Sequence, residues 1–217
     1  KKKYILWINN KKYKWLVQSD LMKKKLSDKF KISLEKIKVY PIFENLRNNN
    51  LNKSDSFIYP TTISKHKNNL RLLKAFVQSA DQIPNLSFNL KITIRKTPEI
   101  EKVMLNATKN LTVDFLGSLS KEDIIDEISK AKFLIYPSLT ESFGLPLIEG
   151  CQLGCYVICS DLPYVHEVIR PSLTFDPYSV YSISKMINRS LQDKNLIFTE
   201  MKIESATQLI LNEITHV

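Results

Sequence analysis

Between Phe57 and Ser160, short apolar runs alternate with longer segments of helical periodicity, and only short links join them. The runs Phe57 to Tyr59, Phe88 to Ile94, Val113 to Leu116, Phe133 to Tyr136 and Tyr156 to Cys159 have strand length and composition. The segments between them carry apolar residues at helical spacing: Leu72, Leu73, Phe76 and Val77 over about 70–80, and Ile124, Ile125, Ile128 and Ala131 after Ser120. A further helix is expected over Glu99 to Lys109. Strands separated by helices are joined by crossovers rather than hairpins, so the expected fold class is α/β, a doubly wound parallel sheet. In such a sheet ligands bind outside the carboxyl ends of the strands, which is where the candidate loops lie.

The flanks extend this pattern. Tyr4 to Ile8 and Trp15 to Gln18 read as strands, Ser19 to Phe30 as a helix capped by Ser19 or Asp20, and Lys36 to Tyr40 as a strand stopped by Pro41. Glu44 to Asp55 is polar and asparagine-rich, the best linker candidate. Ser120 with Asp123 marks a helix start, and Gly154 sits where a helix C′ residue belongs. Val180 to Leu191 and about Thr199 to Ile214 read as closing helices.

Composition excludes several classes. With 43% hydrophobic and 25% charged residues the chain is that of a globular protein, and no apolar run approaches the roughly 18–20 residues of a membrane span. It opens on Lys1 without an initiator methionine or a signal peptide, so a start inside a longer chain is expected. Lysine and arginine exceed acidic residues by 32 to 22, giving +10. Such a surface suits anionic lipid, nucleic acid or anionic substrates, or is simply a solvated face. Tyr4, Trp7, Tyr13 and Trp15 interleave with lysines in a way that suits base stacking, but core-facing strand positions are the preferred reading. Cys151, Cys155 and Cys159 form no Cys-x-x-Cys pair and have no histidine at ligand spacing; they read as small core residues, and no metal site is expected.

The most informative stretch is Tyr136 to Gly154, YPSLTESFGLPLIEGCQLG. A strand leads into a loop bearing Glu141, then Phe143-Gly144-Leu145-Pro146, then a helix carrying Glu149, placed in its first turn. Free backbone N–H groups and the positive end of a helix suit a phosphate, and carboxylates suit sugar or ribose hydroxyls. Either glutamate alone is equally a loop or helix cap. Lys67, near a helix start after the strand at Phe57, can pair with a diphosphate, although alone it reads as a surface lysine. His66 and His166 have no evident carboxylate partner, and Glu167 is equally a helix cap or a ligand contact.

The segment from Tyr136 through Glu149 to Gly150, continued by Gly154 to Ser160 and by Tyr164-Val-His-Glu167-Val, resembles the E-x7-E region of the retaining GT-B glycosyltransferases of family 4, the glycosyl transferases group 1. Val113 to Gly117 and the Lys67-Asn68 helix start fall in the family's order, and coverage is about residues 57–191. The resemblance implies one Rossmann-like half of a GT-B fold, with 1–45 a remnant of the N-terminal acceptor domain and its crossing, and 46–217 the nucleotide-sugar domain. It also implies roles. Glu149 holds the ribose, Glu141 meets donor-sugar hydroxyls, the amides of Phe143, Gly144 and Leu145 face sugar and diphosphate, Lys67 neutralises the departing diphosphate without a metal, and the loop after Gly117 borders the base.

Three positions depart from the family pattern. Thr61-Thr62 replaces glycine-arginine, so Thr62 occupies the place of a phosphate-binding cation. Lys67-Asn68 replaces lysine-glycine. Arg95-Lys96 stands where a glycine-rich turn is usual, making Arg95 a candidate substitute for the lost arginine. The implied activity is transfer of a sugar from a UDP- or GDP-sugar to a saccharide or lipid-linked saccharide acceptor in bacterial surface polysaccharide or glycolipid synthesis, at the cytoplasmic side and with peripheral membrane contact. The fragment alone is expected to bind donor but to have little or no activity, and no nucleic-acid partner is expected. The alternatives are a non-catalytic basic module docking on membrane or nucleic acid with a degenerate sugar site, and a sugar epimerase on the same scaffold.

Overall fold

The structure, a computed structural model, describes residues 15–47 and 52–207. The expected strand at Tyr4 to Ile8 and the far part of the closing segment, 208–214, lie outside the described residues. The first described unit is β1 (Trp15–Val17), α1 (Asp20–Phe30) and β2 (Ile37–Val39). β1 and β2 pair in parallel as a small sheet of their own. α1 starts where the Ser19 hydroxyl accepts from the Met22 N–H at 3.2 Å, the expected cap.

The second sheet contains β3 (Ser54–Tyr59), β4 (Phe88–Ile92), β5 (Leu111–Phe115), β6 (Ala131–Tyr136), β7 (Tyr156–Ser160) and β9 (Leu173–Phe175). Their order is β5-β4-β3-β6-β7-β9, and every pairing is parallel. This confirms the doubly wound sheet. Helices α2 (Asn69–Gln82), α3 (Pro98–Met104), α4 (Lys121–Lys130), α5 (Leu145–Gln152), α6 (Pro163–Val168) and α7 (Val180–Gln192) cross between strands or cover them. Because both faces are covered, the central strands are apolar without alternation: Phe57, Ile58 and Tyr59 in β3, and Phe133 to Tyr136 in β6, are all buried. Phe57 stacks on Phe133 with centroids 4.8 Å apart, and Phe76 of α2 meets Phe57 edge-on at 5.2 Å.

Several boundaries differ from the sequence expectation. α3 begins at Pro98, where Thr97 caps the Ile100 N–H, and stops at Met104 rather than Lys109. Beyond it Asn110 Nδ2 donates to the carbonyls of Ala80, Ile83 and Leu86, holding the chain in a turn that no helix could share. The closing helix from Thr199 is not formed over 199–206. Instead Thr199 Oγ1 accepts from the Val157 N–H at 2.8 Å, and β10 (Glu200–Met201) pairs antiparallel with β8 (Ile169–Arg170). Long-range partners claim the backbone and side chain that a helix would have used.

The three cysteines lie in and around the core as expected; Cys155 and Cys159 are buried. Burial raises the Cys151 and Cys155 thiols to about 11, which leaves them protonated and unreactive near neutrality.

α5 lies against β6 through Gly150. A Cβ there would sit 2.8 Å from Leu134 Cδ1 and 3.2 Å from its Cβ, and Leu134 is itself fully buried. Gly150→Val should therefore cost about 2–3 kcal/mol by overpacking, lowering the thermal midpoint by about 5–10 °C in a melting experiment.

Candidate functional site

The sheet reverses its winding between β3 and β6, because β4 and β5 lie to one side of β3 while β7 and β9 lie to the other side of β6. The loops leaving the carboxyl ends of these two strands diverge and open a crevice. Residues 60–68 form one wall and 137–144 the other. The Leu139 N–H joins them by donating to the His66 carbonyl at 2.8 Å, and the Tyr59 hydroxyl of β3 steadies the first wall by donating to the Lys67 carbonyl at 2.6 Å.

Asn68 is central to this joint. Its backbone is left-handed, φ 62°, at the turn from the short 3-10 helix Lys65–Lys67 into α2. Glycine takes that conformation most easily, and asparagine is among the residues that tolerate it best. Here the exchange adds something glycine cannot. Asn68 Nδ2 donates to the Pro137 carbonyl at 3.2 Å and the Pro177 carbonyl at 2.8 Å, while Arg71 donates to Asn68 Oδ1. The departure from lysine-glycine thus preserves the turn and pins three loops together.

The crevice holds an ion pair. Lys67 Nζ lies 2.6 Å from Glu141 Oε1, with side chains only 16% and 13% exposed. The Tyr136 hydroxyl donates to the same Glu141 oxygen at 2.9 Å and accepts from Lys67 Nζ at 3.2 Å. Two residues 74 positions apart in sequence, each unremarkable alone, are brought to one point. Next to them Gly144 adopts φ 84° and opens α5 without a side-chain cap; Pro146 carries no N–H and the Leu147 N–H donates to the Gly144 carbonyl at 2.9 Å, so of the first three helical residues Leu145 alone keeps an N–H without a partner among the described residues. Phe143 turns inward against Phe43, with ring centroids 6.3 Å apart.

Glu149 lies in the second turn of α5, not the first, because the helix starts at Leu145. It shares a cleft of about 210 Å³ with Phe43, Glu44, Lys121, Leu145 and Ile148. Burial pushes its carboxyl above the usual range, partly offset by the Lys121 ammonium, while the Glu44 charge adds to the rise. Glu44 and Lys121 are themselves paired at 2.6 Å across the cleft mouth. Neither was visible as a site residue in the sequence, because the segment around Glu44 reads there as the start of a linker.

The remaining candidates lie at the crevice rim. Thr62 is exposed, with its carbonyl held by Asn69 Nδ2 at 2.9 Å. Arg95 is exposed and packs on Gly117, whose Cβ would lie 3.8 Å from Arg95 Cγ; Gly117 takes φ 71°. Both sit at the ends of β4 and β5, and Lys96 Nζ lies 5.2 Å from the Phe115 ring centroid. Arg95 is thus joined to Gly117 and not to the Lys67–Glu141 pair. Glu167 resolves as a cap: its Oε1 accepts from the Leu21 N–H at 2.6 Å, holding the start of α1 against α6. His166 pairs with Asp161 at 2.6 Å, a partner the sequence did not suggest.

A model of the glycosyl transferases group 1 matches residues 42–208. The chain belongs to this family. An O-antigen chain mannosyltransferase B of Escherichia coli is 37% identical over 87 residues, 40% of the chain and 23% of the relative. An O-antigen chain mannosyltransferase, RfbU, of Salmonella typhimurium is 29% identical over 166 residues, 71% of the chain and 44% of the relative. Among solved structures, TarM superposes with a TM-score of 0.70 at 13% identity, over 99% of the chain and 45% of TarM. The pneumococcal O-GlcNAc transferase GtfA, solved with UDP and GlcNAc, gives 0.62 at 20% identity, over 83% of the chain and 38% of GtfA. At such identities the likeness carries the fold: the six-stranded sheet is one half of a GT-B arrangement. The chain spans less than half the length of the relatives it matches here.

Two outcomes test the geometry. Asn68→Gly keeps the left-handed turn and loses the side-chain bonds, at about 1–2 kcal/mol, whereas Asn68→Val adds backbone strain and should cost about 2–4 kcal/mol in chemical denaturation. For Glu149, a folded-state pKa above the unfolded value favours folding in acid, and that contribution is lost as pH rises through the raised value. Glu149→Gln removes the burden of the buried charge. Its melting temperature should equal or exceed that of the unaltered chain at neutral pH, the gap closing on acidification.

Proposed function

We propose that this chain is the donor-binding half of a retaining glycosyltransferase, which transfers a sugar from a nucleoside-diphosphate sugar to a hydroxyl of a saccharide or lipid-linked saccharide acceptor. The observation that carries the reading is the part-buried Lys67–Glu141 pair at the switch point, flanked by the uncapped start of α5 and followed by Glu149 on that helix. A cation, a helix start and two carboxylates in this sequence match the chemistry of such a donor, in which phosphates and hydroxyls alternate along one molecule.

In this reading Glu149 accepts from the ribose hydroxyls, with the base towards Gly117 and Lys121. The diphosphate lies over the amides of Phe143, Gly144 and Leu145 and draws on Lys67. Glu141 accepts from a hydroxyl of the sugar. Breaking the glycosidic bond leaves negative charge on the diphosphate, and Lys67 together with the helix start stabilises that charge in the transition state, so no metal is assigned a part. Thr62 leaves the site one cation poorer than the family pattern, and Arg95, at the edge of β4 and β5, is the nearest replacement the sequence offers. Residues 1–45 are read as the remnant of the acceptor domain and its crossing, and 46–217 as the donor domain. Because two relatives are named as mannosyltransferases, GDP-mannose is the first donor to try, ahead of UDP sugars. A net charge of +10 supports work at an anionic cytoplasmic leaflet, where lipid-linked acceptors lie.

Calorimetry should find saturable binding of GDP or UDP and their sugars. Glu149→Ala should weaken both nucleotide and nucleotide sugar by about tenfold, and Lys67→Ala should weaken the diphosphate compounds while reducing the salt dependence of binding. Absence of any nucleotide binding at millimolar concentration would overturn the proposal.

A further inference from the structure

Tyr136 ends β6 and is 1% exposed. Its ring belongs to the core, edge-on to Tyr59 with centroids 5.8 Å apart, and a phenylalanine would fill the same space. The hydroxyl does something the core does not require. It reaches the crevice, accepts from Lys67 Nζ at 3.2 Å and donates to Glu141 Oε1 at 2.9 Å. Lys67 Nζ also lies 5.4 Å from the Tyr136 ring centroid. Burial, and after it the Glu141 charge, pushes the phenol well above its ordinary value, so it keeps its proton and remains a donor. Lys67 and Tyr136 both engage Oε1, and among the described residues no hydrogen bond is made to Oε2.

We propose that Tyr136 is a positioning residue for sugar recognition: its hydroxyl keeps Glu141 charged and aimed, with Oε2 open to the crevice, when the donor diphosphate draws Lys67 away. The proposal rests on the donor-binding reading above. In the free protein the ammonium and the carboxylate satisfy each other. A diphosphate competes for the same ammonium, and the carboxylate then loses its strongest partner while still largely out of water. A part-buried carboxylate without a donor is costly, and it would turn towards solvent or follow the lysine. The Tyr136 hydroxyl cannot follow, because its ring is buried at the end of β6 against Tyr59 of β3. It is the fixed donor left to Glu141 during recognition, and the orientation of Oε2 depends on it.

Tyr136→Phe isolates the hydroxyl. The readout is the sugar increment, the ratio of the affinities for GDP-mannose and GDP, and likewise for UDP-glucose and UDP, by calorimetry. In Tyr136→Phe the affinity for the free diphosphates should change less than about twofold, while the increment should fall about five- to tenfold towards unity. In a Glu141→Gln background the same substitution should leave the increment unchanged, since the two groups act as one unit.

An increment equal to that of the unaltered chain, or an equal loss for diphosphates and their sugars, overturns the proposal, as does an undiminished effect of Tyr136→Phe without Glu141. Binding of neither diphosphate nor sugar by the unaltered chain overturns the functional reading and this inference together. Retention of both in the unaltered chain with an unmoved increment in Tyr136→Phe overturns this inference alone.

Discussion

Everything in this molecule depends on β3 and β6 lying side by side. Both are buried on both faces, so they must pair where helices cover the sheet above and below, and their aromatic residues interlock across the seam. From this pair the chain winds outward in opposite directions, through β4 and β5 on one side and β7 and β9 on the other. Two loops are therefore forced apart at one sheet edge, and the gap between them is a consequence of winding rather than of any local sequence. The Lys67–Glu141 pair occupies that gap.

Keeping a charged pair there is expensive in free energy unless its geometry is held, because removing an ammonium and a carboxylate from water offsets much of their attraction. The chain meets this by over-determining the loops. Asn68 binds two carbonyls from a left-handed turn, and Tyr59 anchors the Lys67 carbonyl. Tyr164 donates to the Ser138 carbonyl at 2.8 Å from behind. Gly144 then starts α5 from a second left-handed position, so the acidic loop becomes a helix that begins without a side-chain cap. These groups are small and local, yet together they convert a gap into a site of definite charge.

The N-terminal described segment takes part in the same site. Phe43 packs on Phe143, the Ser205 hydroxyl donates to the Phe43 carbonyl at 2.6 Å, and Glu44 bridges to Lys121 beside Glu149. What reads in sequence as the beginning of a polar linker is, up to Leu46, a wall of the Glu149 cleft. The strands β1 to β7, most helices, the caps at Ser19 and Ser120, and the glycine at 154 were legible, because periodicity and capping are decided within a few residues, whereas the two- and three-residue strands β8, β9 and β10 were too short to show a pattern. The end of α3 and the segment after Thr199 were not, since Asn110 and Thr199 take their partners from elements far along the chain. Glu149 moved by one helical turn for a similar reason: the start of α5 is set by Gly144, whose conformation a residue count does not reveal.

By itself, then, the sequence determined the α/β class, the parallel sheet, the family and the identity of the acidic loop, since each rests on patterns contained in a short window of residues. The tertiary structure alone decided that Lys67 and Glu141 share a proton-rich contact with Tyr136, that Arg95 belongs to Gly117, and that Glu167 caps α1. Those pairings join residues whose separation in sequence carries no signal. They are set by strand order, and strand order is settled only when the whole sheet closes on its core.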